Sequence, residues 1–333
     1  MMNILEPGGQ LDESTTARLM AEYGGAAQGN IVSRAHTPEV TPSTLVEMFM
    51  PRNLFGAFVG SDRNLLGEML PLILFAILVG AAGTALAEDK RARLLAGLGT
   101  ITELMTRIVY FALRIAPYAV PAMVYSVVVK IGFDIVIALG LFVIGCTGVM
   151  LLHLFGTMSI WLRVWTAFRP RDFFRRIEAV LITAFSTSSS AATLPTALGV
   201  AREELKVRPS VAGFVLPLGT TMNMSGTALY EGCVVLFVAQ VFGIELGFVQ
   251  QITLLLLAVL SAVAVAAVPG GSLPLIAGLL VSFGIPPEGI GIVLGVDRLL
   301  DMTRTMVNVG SDVVTTAVVD AKSAAIDQDG AVV

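Results

Sequence analysis

Long stretches without a single charged side chain dominate this sequence of 333 residues. An α-helix needs about 20 mostly apolar residues to cross the hydrocarbon core of a bilayer. The main uncharged runs are 69–87, 135–162, 179–201, 209–230 and 246–287. Only 14% of the residues are charged, against about 25% in soluble domains. The sequence therefore predicts an all-α membrane protein with several spans.

No motif of an enzyme or of a nucleic-acid-binding protein is present. There is no P-loop, no paired histidine motif and no nucleophile elbow. An intramembrane protease using Ser188 to Ser190 would need a base within reach, and no motif links His153 to these serines. Cys146 and Cys233 lie in apolar runs, where free cysteines act as small hydrophobic residues. We therefore predict no enzyme, no nucleic-acid partner and no resident cofactor.

The first half of the chain is predicted to divide at residue 45. Residues 1–44 are polar and form an extramembrane segment, and they lack the basic and apolar parts of a signal peptide. Residues 45–165 contain partial scaffold helices, with spans at 65–87, 94–129 and 135–162. Their apolar character is interrupted by the charged connection 88–93.

Basic residues flank the run 179–201 on both sides. They are Arg163, Arg169, Arg171, Arg175 and Arg176 before it and Arg202, Lys206 and Arg208 after it. Basic residues concentrate on the cytoplasmic side of membrane proteins, so both ends of this run are predicted to be cytoplasmic. Hydroxyls and a proline in Ser186–Pro195 place irregular backbone at its middle, where it needs protein or water around it. We predict a re-entrant hairpin over about 170–203.

The next segments are predicted to repeat this order in the inverted orientation. They are a span at 209–241 broken by the polar stretch 219–227, a second hairpin at 246–282 whose connections lack Lys and Arg, a polar-striped helix at 289–319, and a polar tail at 321–333. Inverted repeats with discontinuous helices are typical of secondary transporters. Residues 166–320 are therefore predicted to form a core that works by alternating access.

The helix at 289–319 carries a polar stripe. At about 100° per residue, one face holds Asp297, Asp301, Arg304, Thr305, Asn308 and Asp312. Ionisable groups at membrane depth are costly and mark pathways or binding sites. This stripe is the predicted functional site, although the sequence alone assigns no role to Asp297.

Four ordered motifs resemble the glutamate/dicarboxylate–cation symporter family. They are STSSSAATLP at 186–195, NMSGTALYE at 223–231, Val268-Pro-Gly270, and DRLLDMTRTMVNVGSD at 297–312. The resemblance implies a glutamate-transporter-like fold with two inverted re-entrant hairpins. The family's first three helices are absent, and Asn3 to Gly8 resembles the end of the third. The chain is thus similar to an N-terminally shortened member.

The resemblance also implies which residues bind substrate. Arg304 is similar to the guanidinium that holds the side-chain carboxylate of an acidic amino acid, which suits its planar pair of donors. Asp301 resembles the partner of the substrate ammonium, and Thr305 and Asn308 resemble its polar contacts. The remaining expected substrate contacts are Thr227 and the gates at the two hairpin tips: Ser189, Ser190 and Thr193 in the first, Val268 and Gly270 in the second. An ion pair of Asp301 with Arg304 that only stabilises the helix is the alternative.

Two cation sites follow from the same resemblance. Asp312 with Asn223, Asn308 and the carbonyl of Gly219 resembles one sodium site, since hard cations prefer oxygen ligands. The second comprises carbonyls of Thr221 and Met224, with others near Ala262, Val263 and Val265. Three departures from the family pattern accompany them. Ser225 replaces the NMDGT aspartate, Ser188 and Met302 stand where some members carry an arginine, and the second tip is unusually apolar.

These observations predict a transporter. It is a multi-pass protein of the bacterial inner membrane that couples uptake of glutamate, aspartate or a related C4-dicarboxylate to Na⁺ or H⁺ by an elevator-type movement. Its partners are substrate and membrane lipid, with a homotrimer expected once the missing helices are restored. The alternative is a truncated remnant that binds substrate without transporting it.

Overall fold

The computed structural model describes residues 2–10, 75, 78–113, 118, 125, 134–265 and 272–330. Every regular element in these residues is helical, as predicted. The helices are α1 Met2–Leu5, α2 Glu88–Leu113, α3 Asp134–Leu152, α4 Met158–Trp165, α5 Pro170–Arg176, α6 Glu178–Thr187, α7 Ser190–Glu203, α8 Pro209–Met222, α9 Ser225–Val241, α10 Phe248–Ala264, α11 Leu273–Ser282 and α12 Ile290–Gly330. Short 3₁₀ turns cover Gly8–Gln10 and Pro287–Gly289.

Two helical stretches in the described residues are long and apolar enough to cross a membrane. The first, Ile135–Trp165, joins α3 and α4 through a π-helical turn at His153–Thr157, where the span 135–162 is predicted. The second, Pro209–Val241, joins α8 and α9. Much of the predicted spans 65–87 and 94–129 lies outside the described residues, but the connection expected at 88–93 is the first part of α2. There Asp89 and Arg93 form an exposed ion pair of 2.6 Å, which favours helix at this spacing.

Helices α6 and α7 occupy the predicted first hairpin and pack against each other. They have 10 and 14 residues, fewer than the roughly 20 that a span requires. Ser188 between them has a left-handed backbone with φ 51°. Ser189 caps α7 by accepting a hydrogen bond of 3.2 Å from the N–H of Ala192, as serine commonly does at helix N-termini. The helix break is therefore where the hydroxyl-rich sequence puts it.

The interruption predicted in the span 209–241 lies at Asn223 and Met224. Both have non-helical backbone angles between α8 and α9. At its other end α9 stops at Val241, and Gly243 just beyond it has φ 65°. The N–H of Ile244 there donates to the carbonyl of Ala239 at 2.8 Å, the hydrogen bond that closes a glycine-terminated helix.

Helix α12 is the centre of the bundle and packs along α6, α8 and α9. It continues to Gly330, beyond the expected end at residue 319, because the predicted polar tail 321–333 begins with good helix formers and contains no proline. Asp320 on α12 accepts a hydrogen bond of 2.7 Å from Nε of Arg208. This ion pair fixes the start of α8 to the far end of α12.

Candidate functional site

The polar stripe of α12 faces the inside of the bundle. Asp301, Arg304, Asn308 and Asp312 each expose no more than 3% of their surface. Buried charges are strongly unfavourable unless paired or hydrogen-bonded, so the partners of these side chains define the site. These four members of the predicted stripe are therefore buried together inside the bundle.

Arg304 is held by three elements of the bundle. Its Nε and Nη2 each lie 2.6 Å from Oδ1 of Asp301. Its Nη1 donates to the hydroxyl of Ser272, which precedes α11. Its guanidinium carbon is 5.5 Å from the ring centre of Tyr230 on α9, a favourable cation–π distance. The two residues expected to bind opposite ends of a substrate are thus paired with each other.

Asp297, for which the sequence offered no role, accepts a hydrogen bond of 2.5 Å from the Tyr230 hydroxyl. The same tyrosine therefore contacts both Asp297 and Arg304. Nη1 of Arg298 lies 4.0 Å from Oδ2 of Asp301. Because Arg298 is largely exposed, this contact is weak.

Asn308 caps the first turn of α9 from the neighbouring helix. Its side-chain oxygen accepts from the N–H groups of Gly226 at 2.7 Å and Thr227 at 3.2 Å, two donors that a helix N-terminus leaves unsatisfied. Its amide nitrogen donates to the Thr227 hydroxyl at 2.9 Å. The broken helix and the polar stripe are therefore joined through one side chain.

Asp312 lies against the last turn of α8. Its Oδ1 accepts from the side-chain amide of Asn223 at 2.8 Å. Its Oδ2 is buried and has no hydrogen-bond partner within the described part of the chain. A Cβ at Gly219 would lie 2.6 Å from Oδ1 of Asp312, so only glycine fits beside this carboxylate. The structure thus brings together Asp312, Asn223 and Gly219, three of the residues expected at one cation site.

The second group of expected cation ligands is partly assembled. Met224 and Ala262 are buried in one small apolar cluster, so the helix break touches α10. Thr221 lies one turn before Met224 and is exposed, and its hydroxyl donates to the carbonyl of Leu218. No group of three or more His, Cys, Asp or Glu side chains with metal-binding geometry occurs in the described ranges.

The hairpin tips are described only in part. Ser189, Ser190 and Thr193 are buried, and the Thr193 hydroxyl donates to the carbonyl of Ser189 at 2.8 Å. Val268 and Gly270 lie outside the described residues. Thr305 is buried and donates to the carbonyl of Asp301 at 2.9 Å, so its hydroxyl is used within α12.

Three residues of the site were not recognised in the sequence. Tyr230 and Ser272 contact Arg304, as described above. Glu231 is fully buried, and neither carboxylate oxygen has a hydrogen-bond partner among the described residues. Tyr230 and Glu231 end the NMSGTALYE motif. An acidic residue next to a tyrosine in an otherwise apolar segment was the sequence signal that could have identified them. Ser225, which stands where the resemblance leads one to expect an aspartate, donates to the hydroxyl of Ser311 on α12 at 3.2 Å.

A family model described as the sodium:dicarboxylate symporter family matches residues 1–322. The chain belongs to this family. It is similar to the proton/glutamate-aspartate symporter of Escherichia coli K12, with 31% identity over 93% of this chain and 68% of that protein. It is also 32% identical to the proton/sodium-glutamate symport protein of Bacillus caldotenax over 82% of this chain and 63% of that protein. Human excitatory amino acid transporter 2 is 32% identical over 75% of this chain.

This sodium:dicarboxylate symporter family member spans about two thirds of the length of the two bacterial relatives. Membership confirms that the chain is a membrane protein, as the predicted spans and the resemblance had indicated. The family and these relatives are transporters, which also confirms that the chain is not an enzyme.

Proposed function

We propose that this chain forms the substrate-binding core of a symporter that couples an acidic amino acid, glutamate or aspartate, or a related C4-dicarboxylate, to Na⁺ or H⁺. The proposal includes elevator-type alternating access in a bacterial inner membrane and assembly as a homotrimer. The bacterial relatives, a proton/sodium-glutamate and a proton/glutamate-aspartate symporter, support the substrate and ion classes. The re-entrant course of both hairpins is part of the proposal.

The observation that carries the proposal is the buried pair of opposite charges on α12. Arg304 presents several donors in a plane, which matches a carboxylate, and Asp301 beside it matches an ammonium. In the structure the two groups satisfy each other at 2.6 Å. An amino acid with an acidic side chain offers a carboxylate to Arg304 and an ammonium to Asp301. Its binding would replace the ion pair within the protein with two ion pairs to the substrate.

The unpaired oxygen of Asp312 supports the cation part. A buried carboxylate oxygen without a donor is unfavourable, and a cation would satisfy it. Asn223 lies on its other oxygen, and the end of α8 supplies carbonyl oxygens nearby, the ligand type that hard cations prefer. Thus Asp312 would hold Na⁺, or carry H⁺ in its place.

The test is uptake of labelled aspartate by proteoliposomes containing the purified chain, under a sodium gradient and a proton gradient separately. Arg304→Cys is expected to lower aspartate affinity about a hundredfold or more and to admit small neutral amino acids. Arg93→Cys, an exposed arginine with a single surface ion pair, is the control. Unchanged aspartate affinity in Arg304→Cys would remove this residue from the substrate site.

Asp312→Asn is expected to raise the half-saturating cation concentration about tenfold or more. Asp320→Asn, on the same helix but paired with Arg208, is the matched control and should leave cation dependence unchanged. A cation response of Asp312→Asn equal to that of the unmodified chain would refute the cation assignment.

A second reading is favoured by the same ion pair. If Asp301 and Arg304 only stabilise α12, the chain is a core that does not transport. In that case Arg304→Cys lowers the thermal midpoint but leaves aspartate binding per folded molecule unchanged. Binding of labelled aspartate without uptake in either gradient would identify a core that binds but does not transport.

A further inference from the structure

A cavity of about 790 Å³ lies where the span Ile135–Trp165 turns toward the first helical pair. It lies far from the polar stripe in sequence and shares none of the site residues described above. Its principal lining residues are Phe155, Ser159, Ile160 and Arg163 from the span, Arg169 from the connection and Arg171 from the first turn of α5. One wall is therefore apolar and the other is basic.

The arginines of this cavity have no acidic partner among the residues that the structure describes. Arg163, Arg169 and Arg171 are exposed, and in the part of the chain that the structure describes none of them forms an ion pair or a side-chain hydrogen bond. Residues 163–178 hold five arginines against Asp172 and Glu178. Three guanidinium groups around one cavity repel one another and favour an anionic ligand.

The apolar wall identifies the kind of anion. Phe155 and Ile160 are 46% and 62% exposed, and both lie on a helix long enough to span a bilayer. Trp161 and Trp165 on the same helical end are 47% and 43% exposed, and exposed tryptophans are enriched at the membrane–water interface. A ligand held here meets the headgroup layer on one side and acyl chains on the other.

We propose that this cavity binds an anionic phospholipid. Its phosphate lies among Arg163, Arg169 and Arg171, since guanidinium groups form paired hydrogen bonds to phosphate oxygens. One acyl chain follows Phe155 and Ile160 along the span. Basic pockets beside membrane helices on the cytoplasmic side recognise anionic headgroups in this way. The site is independent of amino-acid transport and does not rest on the function proposed above.

Position gives such a lipid a mechanical role. The cavity lies between the end of α4 and the start of α5. Helix α5 is followed directly by α6 of the first helical pair. Arg176 and Lys322, nearby on the same end of the bundle, are already used: Arg176 donates to the carbonyl of Glu204, and Lys322 lies 4.0 Å from the ring centre of Trp165. A bound phospholipid would therefore hold the connection between α4 and α5, which the contacts of Arg176 and Lys322 do not involve.

The experiment counts tightly bound phospholipid on the purified chain by native mass spectrometry after titration with phosphatidylglycerol or phosphatidylcholine in neutral detergent. We expect one phosphatidylglycerol retained per chain and no such retention of phosphatidylcholine. The triple variant R163Q/R169Q/R171Q should bind about a hundredfold more weakly, since each charge near an anionic surface contributes about fivefold. Equal binding of both lipids, or unchanged binding by the variant, would overturn the proposal.

The matched control is R175Q/R202Q/K206Q, which removes three exposed charges outside the cavity and should keep the bound lipid. If the glutamine triple variant does not fold, R163K/R169K/R171K replaces it. Lysine keeps the charge and loses the paired hydrogen bonds, so binding should weaken about tenfold; no weakening would count against the site. Inorganic phosphate is added as a competitor, and displacement of the lipid at equal molar concentration would identify a site for soluble anions instead.

Discussion

Replacing Gly226 with alanine tests the contact that joins α9 to the polar stripe. A Cβ there would lie 2.6 Å from the carbonyl oxygen of Arg304 and 3.0 Å from Cβ of Val307. Ordinary carbon–oxygen contacts are about 3.3–3.6 Å, so the two helices must separate by about 0.7 Å. The Arg304 carbonyl is a backbone group and Cβ of Val307 is bonded directly to the backbone of α12, so neither can move away by a side-chain rotation. Overpacking of this kind costs about 3 kcal/mol, and it also pulls Asn308 away from the first turn of α9.

Gly232→Ala is the matched control, because it lies on the same helix and no atom is within 4 Å of its added Cβ. Removing a glycine from a helix interior contributes about 0.5–1 kcal/mol of stability. The two variants should therefore differ by about 4 kcal/mol, or at least 8 °C in thermal midpoint at about 2–4 °C per kcal/mol. The measurement is a thermal melt of purified protein in detergent, paired with labelled aspartate binding. Midpoints of the two variants within 2 °C would mean that α9 and α12 are not packed as described.

Two further substitutions probe the ends of α8. Gly219→Ala should weaken cation dependence several-fold in the uptake assay, because its Cβ would displace the carboxylate of Asp312. Gly213→Ala is the control and should leave cation dependence unchanged, since the nearest atom to its Cβ would be 3.7 Å away. Equal cation dependence in the two variants would show that Gly219 is not part of the cation site. Asp320→Asn should lower stability by about 0.5–1 kcal/mol, since its partner Arg208 is 36% exposed, and a loss above about 3 kcal/mol in a thermal melt would show that this pair is effectively buried.

The helix breaks were predictable because their causes are local. The Ser189 hydroxyl caps α7 by accepting from the N–H of Ala192, as serine does readily at a helix N-terminus. Asn223 ends α8 with non-helical backbone angles, and its side-chain amide donates to Asp312 on α12. Gly243 ends α9 through the left-handed backbone that glycine adopts readily. Each of these signals lies within a few residues of the structure that it produces.

The side-chain network of the site was only partly predictable because its partners are distant in sequence. Periodicity placed Asp301, Arg304 and Asp312 on one face of α12, and the structure agrees. The hydrogen bond from Tyr230 to Asp297 joins positions 67 residues apart, and helical spacing carries no information about a pairing between two helices. The hydrogen bond from Arg304 to the Ser272 hydroxyl also joins distant positions, so no local sequence signal predicts it.

The cap that Asn308 places on α9 has an evolutionary consequence. A side chain that only touches a ligand is free to change when the ligand changes. Asn308 is not, because its loss would leave two main-chain donors of another helix without acceptors in a buried place. Among the described residues Thr305, one turn earlier, donates its hydroxyl only within its own helix. Divergence in ligand choice should therefore accumulate at positions such as Thr305, while Asn308 ties selection for binding to selection for folding.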